Sequence, residues 1–227
     1  MPTSRVAGGA LAGRGAPASG RLTTRNRGTR QLVAASVVAA AFSSSCATGG
    51  LPAPGVAEKA RAASSYSASL RASLRGPDVR GGTRVLLAFR KPDALRLEIP
   101  GPTGARLVAV ASEGRLVAVF PSDRAVFEGA ATAAEMDALV GVALAPGELM
   151  DLLTGTAPAR LKSYRARWGS ALPREIEAVL PDGSKLTAKV EEAEADPALA
   201  ASVFAPPAHR DYRVVDAAEA RRLWSPR

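Results

Sequence analysis

Few side chains among these 227 residues have types that could do chemistry, and they stand apart. The chain holds one histidine, His209, and one cysteine, Cys46. A nucleophilic site needs a nucleophile, a base and a partner that orients the base. His209 sits in the proline-rich tail "VFAPPAHRDYRVVD", and no serine lies in a nucleophile-elbow setting. There is no HExxH and no CxxC, the spacings that converge metal ligands. Glu191, Glu192, Glu194 and Asp196 offer oxygen ligands for a cation, but they read better as the solvated end of a strand. The glycines of "RGAPASG" and "RGGTR" lack the frame of a phosphate loop. Trp168 and Trp224 have no basic residues interleaved with aromatics around them, so core anchors are expected rather than nucleic-acid stacking platforms. The pattern argues against an enzyme, and it calls for no metal, no cofactor and no nucleic acid.

The position of Cys46 is more informative. Six arginines (Arg5, Arg14, Arg21, Arg25, Arg27 and Arg30) precede "LVAASVVAAAF", Leu32 to Phe42, and the first 45 residues hold no acid. A basic leader, a short apolar run and a small-residue site make an export signal. The run is too short to span a bilayer, which takes about 20 apolar residues. "SSSC" then resembles the lipobox of bacterial lipoproteins, with Ser43, Ser44 and Ser45 before the cysteine. That resemblance implies acylation of Cys46 as the first mature residue; the alternative is an ordinary secreted chain with a stray thiol. The leader also accounts for most of the formal charge of +9, since 24 basic and 21 acidic residues follow it. The expected organisation is a signal at 1–45, a lipidated cysteine and flexible Gly/Pro/Ala tether at 46–63, and one domain at 64–227.

The domain reads as strands, helices, then strands. In "YSASLRASLR" the residues Tyr66, Ala68, Leu70, Ala72 and Leu74 share a face, the period of a half-buried strand. "RVLLAFRKPDALRLEI" repeats this with Val85, Leu87 and Phe89, a turn at "KPD", then Leu95, Leu97 and Ile99. "RLVAVAS" and "RLVAVFP" flank the turn "SEGR", and "RAVFEG" follows, which predicts an antiparallel meander without parallel crossovers. The period then changes. "TAAEMDALVG" has Thr132 and Glu135 in capping-box positions and Gly141 past its end, and "PGELMDLLTG" carries a stripe of Leu149, Leu152 and Leu153. "RLKSYRARW" and the hairpin "REIEAVLPDGSKLTAKVE" return to strands. The proline-rich tail reads as irregular or edge-like, and "DAAEARRLW" as a last helix with Glu219 as capping acid. The expected class is α+β on one large antiparallel sheet. Two short helices can cover one face only in part, leaving an apolar concavity. Its walls are expected from Leu70, Leu74, Val85, Leu87, Phe89, Leu95, Leu97 and Ile99, with Met136, Leu139, Leu149, Leu152 and Leu153 as the lid.

The segment from Leu95 to Pro158 resembles the LolA/LolB family of lipoprotein carriers and receptors. A strand ending in a Pro-x-Gly loop, a strand pair, an aromatic strand, a capped helix and a second helix ending in Leu-x-Gly follow in order. "LPREIEAVLPDGSKLTAKV" is similar to the family's late hairpin and "DPALAASVFAPP" to its tail. The resemblance covers most of Ser64 to Asp216. It implies an incomplete antiparallel barrel lidded by helices, whose cavity takes acyl chains. It implies acylated lipoproteins or lipids as ligands, a periplasmic LolA-like carrier as partner, and a monomer. Its setting would be the periplasmic side of the outer membrane, reached through the lipid anchor. It also implies a membrane-delivery loop at Gly101, Pro102, Thr103 and Gly104, where the receptor projects an apolar residue and this chain has Thr103. A carrier of free lipid or glycolipid and an envelope-stress sensor are the alternatives on the same fold.

Overall fold

Alternating apolar residues build the sheet strand by strand in the computed structural model, which describes residues 51–76 and 80–224. The expected export signal and Cys46 lie outside the described residues. Strand β1 (Ser65–Arg75) buries Tyr66, Ala68, Leu70 and Leu74 on one face, as its period requires. It pairs with β2 (Arg80–Arg90), which pairs with β3 (Ala94–Gly101), and the meander continues through β4 (Gly104–Ser112), β5 (Arg115–Phe120) and β6 (Ala125–Ala130). A second meander, β7 (Ser163–Trp168), β8 (Pro173–Val179) and β9 (Lys185–Ala195), joins the first where β9 pairs with β1. The turn from β4 to β5 is tight: Glu113 and Gly114 both have positive φ, 51° and 74°, a geometry that glycine adopts without strain.

The strand order is β10-β6-β5-β4-β3-β2-β1-β9-β8-β7, an open ten-stranded sheet. This order explains where the helices go. The first meander ends at β6 beside one edge, whereas the second begins at β7, the opposite edge. The chain between them must cross a face of the sheet, and it does so as α2 (Ala133–Val140) and α3 (Pro146–Leu153). Their apolar residues Met136, Leu139, Leu149, Leu152 and Leu153 join one continuous core with the inward residues of the strands. The other face carries a smaller cluster, in which Phe204 packs with Ala88, Val108 and Val110.

Four features differ from the reading of the sequence. Val56–Ala62 form a helix, α1, within the stretch expected as a flexible tether; Ala60 and the following Ala63 are buried against the domain. The tail contributes a strand, β10 (Arg213–Val214), which pairs in parallel with β6, so the sheet is not purely antiparallel. The capping box of α2 is half formed. Thr132 Oγ1 accepts from Glu135 N at 3.3 Å, but Thr132 N donates to Ala130 O instead. At α3, Glu148 accepts from Ala145 N at 2.8 Å, in the place expected of a capping acid. A final helix, α4 (Ala217–Trp224), begins where Asp216 accepts from Glu219 N. Glu219 supplies the capped amide, and its carboxylate turns to Arg213.

Candidate functional site: an apolar cavity beneath the helices

Several of the residues that might have done chemistry take structural roles. Glu191 is the extra residue of a β-bulge in β9, where Ser69 faces Glu192 and Leu70 faces Val190. Its carboxylate meets Arg71 at 2.8 Å and Arg84 at 3.3 Å, and the Arg71 bond holds its pKa below the usual range. Asp196 accepts from Ser64 N, Ser64 Oγ and Ser65 N, and the Ser64 amide chiefly lowers its pKa. The acids expected as a solvated strand end are thus partly engaged in tying β9 to β1. His209 lies 3.4 Å from Glu128, with Nδ1 2.7 Å from Pro207 O. No group of three His, Cys, Asp or Glu side chains among the described residues could hold a metal ion.

What the fold does build is a cavity of about 330 Å³ between the sheet and the helices. On the sheet side Leu70 and Leu74 of β1, Val85 and Leu87 of β2, and Leu97 and Ile99 of β3 face it. Met136 of α2 and Leu149, Leu152 and Leu153 of α3 close it from above. Phe89, Leu95 and Leu139, expected in this wall, do not line it. They are 1%, 0% and 0% exposed and pack the solid core next to it. The correction has a simple cause: alternation decides which face a side chain takes, while the space behind it decides whether it meets a void or another side chain. Leu144 and Phe120, both fully buried, help fill the core.

Residues the sequence did not single out complete the wall. Leu186 and Ala188 come from β9, Val140 and Val142 from the end of α2, and Trp224 from α4. Trp224 also has a structural task. Its Nε1 donates to Leu139 O at 2.6 Å, one of the carbonyls that the end of α2 leaves without an intrahelical partner. Tyr164 of β7 does the same for α3, donating to Leu152 O at 3.0 Å; burial pushes its phenol up to about 12. Trp168 lies against the end of α3, where Gly155 has φ 91° and a Cβ would stand 2.3 Å from the indole. The two tryptophans and Tyr164 therefore clasp the lid helices at their C-terminal ends.

The walls change character along the strands. Phe89 is 1% exposed and Leu87 and Val85 are buried, while Thr83 and Gly81 are half-buried and Arg80 is exposed. Arg80, Arg106 and Arg221 also line the cavity, and among the described residues no aspartate or glutamate does. Beside it, Gly101 and Gly104 pair across the two-residue turn Pro102–Thr103. Both turn residues are exposed, and the loop edges an adjoining recess of about 520 Å³ that shares Arg106 with the cavity.

No family model and no curated protein matches the sequence. Solved structures do match the fold. A LolA superfamily protein from Nitrosomonas europaea aligns with a TM-score of 0.43 at 11% identity, over 69% of this chain and 99% of that one. A conserved protein from Thermus thermophilus aligns at 0.39 and 11% identity, over 70% of this chain and 96% of that one. A DUF1329 family protein from Desulfovibrio piger aligns at 0.36 and 9% identity, over 66% and 92%. What the cavity can hold follows from its own walls.

Proposed function

We propose that this chain is an exported, lipid-anchored protein that binds an acyl chain beneath its helices and helps place acylated lipoproteins at the outer membrane, facing the periplasm. The observation that carries the reading is the partly open cavity between sheet and helices, most of whose wall is leucine, valine, isoleucine and methionine. If a methylene fills about as much space as a water, roughly 30 Å³, the void takes about eleven of them. At about 0.8 kcal/mol per buried methylene this is a gross gain of roughly 9 kcal/mol, set against an association cost of at least about 4 kcal/mol. Affinity of useful size needs no catalytic group. A free-lipid carrier is the second reading, and the exposed Thr103 favours it, because a polar tip gains little from entering a bilayer.

Leu87 is the residue to test, since it faces the void from the middle of β2. Leu87→Phe fills volume and stays apolar. The expected outcome is a folded protein whose affinity for a fluorescent acyl probe falls about tenfold or more, read by titration beside the thermal unfolding curve. A folded variant that binds like wild type would remove the cavity from the binding account.

A further inference from the structure

The cavity has a closed end, and the residues that close it share strand faces with those that line it. On β2 the inward positions Gly81, Thr83, Val85 and Leu87 line the cavity, and the next, Phe89, does not. On β3, Ile99 and Leu97 line it and Leu95 does not. Leu87 faces Leu97 across the two strands and Phe89 faces Leu95, so the void stops at one register on both. Strand β1 agrees: Leu74, Ala72 and Leu70 line the cavity, whereas Tyr66, which faces Phe89, does not. Tyr66, Phe89 and Leu95 are 0%, 1% and 0% exposed, and the two rings stand 6.3 Å apart.

Other elements hold this end in place. Just past Phe89 the chain turns at 91–93, where Lys91 Nζ donates to Arg61 O at 2.7 Å and Lys91 N to Ser64 O at 2.8 Å. These bonds tie the turn to α1 and the residues after it. The start of α3 lies against the same turn: a Cβ on Gly147 would stand 3.6 Å from Pro92 O. Toward the other end of β2 exposure rises, through half-buried Thr83 and Gly81 to exposed Arg80.

We propose that Tyr66, Phe89 and Leu95 form a depth stop, so that the cavity admits one unbranched acyl chain, tail first, and buries no more than about eleven of its methylenes. This rests on the acyl-binding reading and adds the chain length accepted and the residues that set it. Tail-first entry follows from hydration, since a polar head at the stop would lose its water among apolar side chains, whereas near Gly81 it stays wet. The limit follows from close packing: a chain that has reached the stop finds no space beyond it, and further carbons stay outside. A pair of chains would have to divide the same 330 Å³.

The test uses the purified full chain and straight-chain fatty acids from octanoate to stearate, each below its aggregation limit, competing against an apolar fluorescent probe. Affinity should rise about fourfold per added methylene and level off near dodecanoate. Phe89→Leu puts a smaller apolar residue at the stop, so the levelling point should move to longer chains. Leu97→Phe adds volume ahead of the stop and should move it to shorter ones. Thermal unfolding shows whether each variant is folded; should one fail to fold, the other and the wild-type series still decide. A rise that continues through stearate, or a levelling point that folded Phe89→Leu or Leu97→Phe leaves in place, overturns the stop and leaves acyl binding standing. Binding of no member of the series overturns both.

Discussion

Single residues show where the domain keeps an imperfect bond and where it keeps a strong one. The Tyr66 hydroxyl is buried and has no hydrogen-bond partner among the described residues, and burial pushes its phenol pKa up. A buried donor left unmade costs more than its removal. Tyr66→Phe should therefore leave stability unchanged or raise it by about 1 kcal/mol, seen as an equal or higher urea midpoint; a clear loss would mean the hydroxyl has a partner. Asp196 is the contrary case, accepting three bonds from Ser64 and Ser65 in a left-handed backbone position at φ 56°. Asparagine tolerates that conformation and can still accept, so Asp196→Asn isolates the charge. The folded carboxyl titrates below its unfolded value of about 3.9. Its stabilisation is complete above that pH and fades as pH falls through the lower folded value. Wild type should be more stable than the variant at pH 6, with the gap closing as pH falls below about 4. Urea midpoints that stay equally far apart across that range would show that the charge contributes nothing.

At the scale of elements, the lid is held by its ends. The last turn of α2 offers carbonyls that the helix cannot satisfy, and the indole of Trp224 takes one of them. Trp224→Phe keeps most of the ring and removes the donor, so α2 and α4 should part more readily. The expected loss is about 1 kcal/mol in unfolding, with faster release of an acyl probe in stopped-flow exchange. Unchanged release with lowered stability would mean that α4 supports the fold without gating the cavity. The elements themselves were largely legible from sequence. Strands from Tyr66 to Phe127 announce themselves by alternation, and "SEGR" and "PDG" mark turns by their glycines. The rest depended on partners distant in the chain. Two residues, Arg213 and Val214, become a strand because β6 lies beside them, with Arg213 N donating to Arg124 O. Helix α1 is set by the burial of Ala60 and Ala63, which a Gly/Pro/Ala composition does not reveal. Phe89 and Leu87 share one alternating pattern, yet one fills the core and the other faces the void.

For the whole molecule, the question is how the cavity is presented to a membrane. Helix α1 starts at Val56, ten residues after Cys46. Even fully extended, that stretch reaches at most about 35 Å, so an acylated Cys46 would hold the start of α1 within that distance of the bilayer surface. No helix among the described residues is long and apolar enough to cross a membrane. If Cys46 carries the anchor, one substitution tests it. In the full chain, Cys46→Ser should abolish labelling by a fatty-acid analogue and move the protein from the salt-washed membrane pellet to the soluble fraction. Acyl chains hold a membrane by apolar burial rather than by charge, so an acyl-anchored wild type should resist high salt. Unchanged labelling and partitioning in the variant would remove the anchor from the account. Loss of labelling with membrane binding that salt reverses would instead locate surface affinity in the folded domain, where arginines such as Arg80 and Arg222 are exposed to anionic lipid.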